Sequence, residues 1–352
     1  MASNAESTDK PCFPKPMKLT GVLEKFRYID STPAIGREFP DLNIVDDLLN
    51  AQNVDELVRE LAITISQRGV VVFRAQHNLT DQLQKQLIQR LGELTGKPTE
   101  SKLHIHPVLN DTSEFGAGDR QVSVISSAHR RKLAVDGAPK GRPDLASKFS
   151  WHSDIQFEHV PPDYASLRLT QLPENGGDTL WASGYEIYER LSKPYRAFLE
   201  GLTATFMADG ALFQHDSIFE GPRGNPLNIG KEFTAVHPVI RTNPVTGWKS
   251  VYAVGPLPKY INELNPKESQ EVLKFLRETI TDNHDLQCRF KWFSENDIAI
   301  WDNRSTFHTP TYDYDNLGPR AGHRAVGIAE VPYFDPNSLA RSDEVRNQVS
   351  NK

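Results

Sequence analysis

Leu57, Leu61 and Ile65 recur at four-residue intervals, the spacing of one face of an α-helix. Gly69 follows as a C-terminal stop, so a helix is predicted over Val54–Arg68. Val70, Val71, Val72 and Phe73 come next, an apolar run that reads as a buried strand. Thr80 is placed to cap a second helix in which Leu83, Leu87, Leu91 and Leu94 share a face. From about Phe149 onward the pattern changes to short apolar runs, among them 165–172, 250–254, 298–301 and 325–328. Two helical stretches interrupt them. One covers 185–202, where Pro194 predicts a split into two short helices. The other covers 267–281. Many short strands with inserted helices predict a mainly β fold, a double-sheet jelly roll whose mouth holds a site.

No internal repeat or long low-complexity linker divides the 352 residues, and one domain over 17–335 is expected. Residues 1–16 and 336–352 are polar and read as tails. A hydrophobic content of 38% and a charged content of 24% are those of a soluble globular protein. No apolar run is long enough to cross a bilayer, and the first residues lack the apolar segment of a signal peptide. Cys12 and Cys288 make no disulfide framework, so a cytoplasmic, reducing location is expected. A net charge of −6 argues against nucleic acid as a partner, because phosphate binding needs a basic footprint. A small anion held by a few local arginines remains compatible with that charge.

Of the eleven histidines, only His152 begins a His-x-Asp/Glu triplet. In a strand, residues i and i+2 point to one face, so His152 and Asp154 are expected to reach one metal together. Two imidazoles and one carboxylate on one face form the ligand set of a mononuclear non-haem Fe(II) site. Spacing alone does not choose the second imidazole. His308 is favoured because it follows the apolar run 298–301 and precedes two arginines. A lone His-x-Asp triplet is usually accidental, and Asp154 has the alternative of capping a turn.

Context changes that weighing. Trp151-His152-Ser153-Asp154 is followed by Gly176-Gly177-Asp178-Thr179-Leu180-Trp181. Trp301-Asp302-Asn303-Arg304 runs on to His308, and Arg320-Ala321-Gly322-His323-Arg324 closes the series. In this order the motifs resemble the taurine dioxygenase family of Fe(II)/2-oxoglutarate-dependent oxygenases, which includes fungal sulfonate dioxygenases. The resemblance covers roughly 17–335 and takes in Leu103-His104-Ile105-His106-Pro107 and His237-Pro238-Val239. It implies a double-stranded β-helix, a cupin-like jelly-roll variant. It also implies Fe(II) held by His152, Asp154 and His308, with 2-oxoglutarate and O2 as co-substrates. By the same resemblance, Arg320 pairs with the distal carboxylate of 2-oxoglutarate, and Thr179 donates to that carboxylate. A guanidinium suits the task because it is a planar fork that stays charged. Arg324 matches the arginine that grips the acidic head of the substrate, and His106 a histidine at that end. Trp151, Trp181 and Trp301 read as packing around the site, His104 and His323 as structural, and Gly176-Gly177 as a turn.

The substrate end departs from the taurine enzymes. Leu109 stands where they have a tyrosine and Leu257 where they have a phenylalanine. Lys148 and Phe149 fall in the region of an asparagine that meets the taurine amine. Ala211 and Leu212 replace a further polar and aromatic pair. An acid with an aliphatic body is the expected substrate: a sulfonate, a sulfate ester or an amino acid. Oxidation of its C–H bond, with release of succinate and CO2, is the expected reaction. The alternative is the same cofactor chemistry ending in desaturation or ring closure of an amino acid in a natural-product pathway. A non-catalytic jelly-roll binding protein is a further reading, which the complete ligand set and Arg320 oppose. A homo-oligomer is the expected assembly.

Overall fold

The computed structural model describes residues 13–110, 116–129, 150–208, 218–314 and 316–344. Cys12, Lys148, Phe149, Ala211 and Leu212 lie outside the described residues.

Strands β1 (Ile29–Asp30), β2 (Arg37–Phe39) and β3 (Val70–Phe73) open the chain, with helix α1 (Val54–Arg68) between β2 and β3. Helix α2 (Asp81–Glu93) and strands β4 (Ser123–Ser126), β5 (Pro162–Gln171) and β6 (Thr179–Ser183) follow. Next come helices α3 (Gly184–Arg190) and α4 (Lys193–Leu199), then β7 (Thr203–Met207), β8 (Thr234–Pro238), β9 (Ile240–Thr242), β10 (Lys249–Val251) and β11 (Pro258–Ile261). Helix α5 (Pro266–Thr281) leads to β12 (Gln287–Phe290), β13 (Ile298–Asp302), β14 (Thr306–Pro310) and β15 (Ala321–Ile328).

The predicted helices form, and Gly69 and Thr80 act as expected. Gly69 ends α1 with a φ of 75°, and the Thr80 hydroxyl accepts from Leu83 N at the start of α2. Ser192 and Pro194 separate α3 from α4. Asn265 and Glu268 form a capping box on α5, with Pro266 in its first turn. The apolar run 250–254 ends its ladder at Val251, and Gly255 turns away with φ 109°. A side chain at Gly255 would meet Trp151 O at 2.4 Å, so this close approach to the His152 segment requires glycine.

The larger sheet has the order β1-β2-β3-β13-β5-β15-β4 and is antiparallel except for the β2–β3 pair. A smaller sheet, β12-β6-β14, faces it. Val71, Phe73, Ile298, Ile300 and Ala325 pack outward against Leu57, Leu61 and Ile65 of α1 and Leu87 and Leu91 of α2. Val70, Val72, Ala299, Trp301 and Val326 point the other way, toward Trp181, Phe290 and Trp292 of the smaller sheet's side. Burial on both faces is why these strands read as unbroken apolar runs instead of alternating ones. The resulting pair of sheets is the expected jelly roll.

Packing reaches past the expected domain limits. Phe13 stacks on Tyr333 with ring centroids 5.1 Å apart, and Met17 N donates to Val245 O. Leu339 pairs with Trp248, Ala340 is buried and Arg341 bonds Glu186. Phe13 and the segment Leu339–Arg341 thus pack on the domain.

Candidate active site

Three chain segments converge between the two sheets. On β15 the even-numbered positions face inward, so Arg324 joins Val326 on that side, while His323 faces α2 and bonds Asp81. Arg320 lies just before the strand and is buried. On the smaller sheet, His308 of β14 is the cross-strand partner of Trp181 on β6, and Pro310 is the partner of Thr179.

His152 reaches the site by an isolated bridge. His152 N donates to His308 O at 3.1 Å, and His308 N donates to His152 O at 2.8 Å. The expected regular strand through 152–154 is not found: Asp154 opens a turn, and Ile155 behind it has a φ of 39°. The shared direction of His152 and Asp154 therefore comes from a bridge followed by a turn. A β-branched residue at positive φ is strained, a feature that clusters at functional sites.

One ligand atom from each of His152, Asp154 and His308 lies within 4.8 Å of the other two. His152 Nδ1 lies 2.6 Å from the Ser150 carbonyl, to which it donates, so Nε2 is the ring nitrogen left for another partner. Asp154 Oδ1 accepts from Arg324 Nη1 at 2.5 Å. Asp154 Oδ2 and His308 Nδ1 are buried with no hydrogen-bond partner among the described residues. Burial, then the nearby His152, depresses the His308 pKa to about 3 against the opposing pull of Asp154, and the ring is neutral. Burial opposes ionisation of Asp154, but the positive charge beside it, Arg324 first, outweighs it and holds the carboxyl below its ordinary value. The neutral imidazole of His308, an ionised carboxylate and orphaned buried acceptors are what a divalent cation satisfies.

A cavity of about 300 Å³ opens on this cluster. His152, His308, Thr179, Arg320, Arg324 and Leu109 all line it, and Trp181 and Trp301 form part of its wall. Arg320 Nε donates to Gly177 O at 2.8 Å, and Nη2 to Thr179 Oγ1 at 3.4 Å. Trp292 Nε1 also donates to Thr179 Oγ1, at 3.2 Å. With two donors on its oxygen, the Thr179 hydroxyl has its own hydrogen to give, which suits a carboxylate. Trp292 was not singled out from sequence, because only the fold brings it to Thr179. The Gly176-Gly177 turn is present, with φ values of 76° and 71°. A side chain at Gly177 would lie 2.9 Å from Arg320 Cδ.

Two expected substrate contacts sit differently. Leu257 is not among the lining residues; it packs into two neighbouring apolar clusters, and its carbonyl accepts from Met207 N. His106 is likewise not a lining residue. Its Nδ1 accepts from Val108 N at 3.1 Å and Leu109 N at 2.8 Å, which fixes the turn carrying Leu109. Burial first, then the charges of Arg324 and His104, push its pKa well down, so the ring is neutral with its proton on Nε2. His104 lies behind it, 3.5 Å from Glu158.

A jelly roll with two imidazoles and a carboxylate at one end of an apolar cavity defines the class of mononuclear non-haem metal oxygenases. The chain belongs to the taurine catabolism dioxygenase TauD, TfdA family, whose profile matches residues 27–326. It is 48% identical to "Alpha-ketoglutarate-dependent dioxygenase btcD" of Neocamarosporium betae over 94% of this chain and 98% of that protein. It is 42% identical to "Alpha-ketoglutarate-dependent dioxygenase esdpJ" of Penicillium shearii over 94% and 96%. The solved structure of a putative alpha-ketoglutarate-dependent taurine dioxygenase from Burkholderia xenovorans superimposes with a TM-score of 0.65. It is 26% identical, and the match covers 89% of this chain and 92% of that one. The protein is an α-ketoglutarate (2-oxoglutarate)-dependent dioxygenase that uses Fe(II), 2-oxoglutarate and O2. Among the described residues, no helix is long and apolar enough to cross a membrane.

Proposed function

We propose that the chain oxidises an aliphatic C–H bond of a small organic acid, with His152, Asp154 and His308 holding the iron. The observation that carries this reading is one cavity lined by both His152 and His308 and by two fixed cations, Arg320 and Arg324. Bound Fe(II) supplies the site at which O2 is reduced while 2-oxoglutarate is converted to succinate and CO2. One oxygen atom of O2 enters succinate and the other the hydroxylated product. Arg320 and Thr179 bind the distal carboxylate of 2-oxoglutarate. Arg324, which lines the cavity, binds the acid of the substrate. Leu109, Val124, Ile125 and Leu167 enclose the aliphatic body and keep water from the reacting carbon. The acid is a sulfonate, a sulfate ester or the carboxylate of an amino acid.

The test is succinate formation by the iron-loaded protein across those three acid classes, alongside metal content of His152→Ala, Asp154→Ala and His308→Ala. Each variant is expected to lose tight iron binding and turnover. Full iron content and turnover in any of them removes that residue from the ligand set. Mass analysis of the product reads the outcome: gain of an oxygen atom for hydroxylation, loss of a hydrogen pair for desaturation or ring closure.

A further inference from the structure

We infer that Asn303 is a positioning residue for the metal site, setting the direction of Asp154 through the backbone of the His152–Asp154 turn. The inference rests on the proposed ligand set. Asp154 lies outside any regular ladder, so something other than sheet hydrogen bonding must hold its backbone. Asn303 Oδ1 does so: it accepts from Asp154 N at 3.1 Å. The same oxygen accepts from Trp301 Nε1 at 3.1 Å and lies 3.3 Å from Ser153 Oγ. Ser153 Oγ donates to Asn303 O at 2.7 Å. On its other side, Asn303 Nδ2 donates to Asp163 O at 3.3 Å, and Asn303 N donates to that carbonyl at 2.8 Å.

Asp154 N–H and the Trp301 indole N–H can only donate to Oδ1, and the group facing Nδ2 is a carbonyl, so the amide's orientation is dictated by its neighbours. Asn303, Ser153 and Asp154 are each at most 2% exposed, so no solvent competes for these bonds. The contact also reaches the second imidazole. Trp301, tied to Asn303 through its indole N–H, packs against His308 with ring centroids 4.9 Å apart. One buried amide thus fixes the carboxylate's backbone and the indole that backs the histidine. Asp163 begins the link to the larger sheet through β5, so Asn303 ties the ligand turn to the rigid part of the fold. Groups that orient ligands are worth about 10–100-fold in metal affinity when removed.

The experiment is anaerobic titration of the full chain with Co(II), the probe metal, followed by absorption, with melting temperatures recorded with and without Co(II). Asn303→Leu keeps the shape and removes every polar contact of the side chain. It is expected to weaken Co(II) binding at least about ten-fold and to shrink the Co(II)-induced rise in Tm. Asn303→Asp keeps an acceptor for Asp154 N and is expected to recover most of the affinity. Ser153→Ala, which leaves the Asn303 to Asp154 bond in place, reports on the site should Asn303→Leu fail to fold, with an expected smaller loss. A merely structural role for Asn303 would lower both melting temperatures equally and leave the Co(II) affinity unchanged, and that result overturns the inference. So does wild-type Co(II) affinity in Asn303→Ala, which removes the same side-chain contacts, when Asn303→Leu is unfolded. Asp154→Ala is the control: wild-type Co(II) binding there refutes the ligand set itself and not the role of Asn303.

Discussion

Nη1 of Arg324 donates to Oδ1 of Asp154 at 2.5 Å, so the cation proposed to bind the substrate's acid also touches the carboxylate proposed to bind iron. Both side chains are largely buried, and Asp154 keeps only Oδ2 for another partner. Removing one member of a buried ion pair leaves the other charge uncompensated, at a cost of about 3–5 kcal/mol. Arg324→Ala is therefore expected to destabilise the metal-free protein, and less so the metal-loaded one, where the ion compensates Asp154. Its requirement for acid substrate should rise strongly while that for 2-oxoglutarate stays nearly unchanged. Calorimetry with and without metal and steady-state kinetics check both halves. Undiminished affinity for the acid would remove Arg324 from the substrate site.

The opposite end of the cavity answers to Arg320. A charge-assisted hydrogen bond is worth about 1.5–3 kcal/mol, or roughly ten- to a hundred-fold in affinity. Arg320→Ala should raise the 2-oxoglutarate requirement by that factor, and Thr179→Val should do so more weakly. Gly177→Ala should act in the same direction without touching Thr179 or Arg320 chemically. Its Cβ would crowd Arg320 Cδ at 2.9 Å and Tyr314 at 3.2 Å, in a backbone conformation that favours glycine. An apparent 2-oxoglutarate affinity equal to wild type in Arg320→Ala contradicts the assignment.

Legibility in the sequence followed the range of the interactions. Helix α1 and strand β3 were readable because local periodicity and Gly69 determine them, and the two-sided burial of Val70–Phe73 left an unbroken apolar run. The grouping of His152, Asp154 and His308 was readable because a short triplet and ordered motifs carry it. The short strands β1 and β2 carry no such signal and exist through pairing, β2 with β3 and β1 with β2. The same holds for finer features of the site. Whether 152–154 is strand or turn depends on His308 and Asn303, more than a hundred residues away. Leu257, expected to line the pocket, packs against two apolar clusters, with its carbonyl bonded to Met207 of β7. Trp292 reaches Thr179 only because the fold places the segment after β12 beside β6.

His237 provides a pH test away from the metal. It is 2% exposed, and its Nε2 faces the carbonyls of Gln156 and Glu158, each at 3.0 Å. Burial first, then the charge of Arg241, lower its pKa to about 3 against the pull of those carbonyls. An unfolded histidine titrates near 6.5. The folded value is the lower one, so the unfolded state takes up the proton first. The stabilisation is full above about pH 6.5 and is lost as pH falls toward the folded value, by up to about 1.4 kcal/mol per pH unit. His237→Gln should therefore show a flatter decline of Tm between pH 6.5 and 4 than wild type, measured at equal metal loading. Parallel curves for the two proteins would show that His237 carries no such linkage.

The substrate prediction follows from what surrounds Arg324. Leu109, Val124, Ile125 and Leu167 line the cavity, and no aspartate or glutamate among the described residues does. Taurine carries its ammonium at the end away from the acid. With the acid on Arg324, that ammonium would meet a lining of Leu109, Val124, Ile125 and Leu167 whose polar members, Ser126, His129, Tyr312 and Tyr314, include no carboxylate to offset its charge, which costs free energy. An α-amino acid keeps its ammonium beside the carboxylate, and an alkyl sulfonate has none. Each added methylene that is buried gains up to about 0.8 kcal/mol, roughly four-fold in affinity. Longer or branched sulfonates and aliphatic amino acids should accordingly outperform taurine in succinate release at equal concentration. Leu109→Tyr, which places a hydroxyl in the cavity as in the taurine enzymes, should narrow the gap. Taurine as the best substrate of the panel would sink the argument from the apolar lining, while the assignments of the iron ligands and of Arg320 would stand.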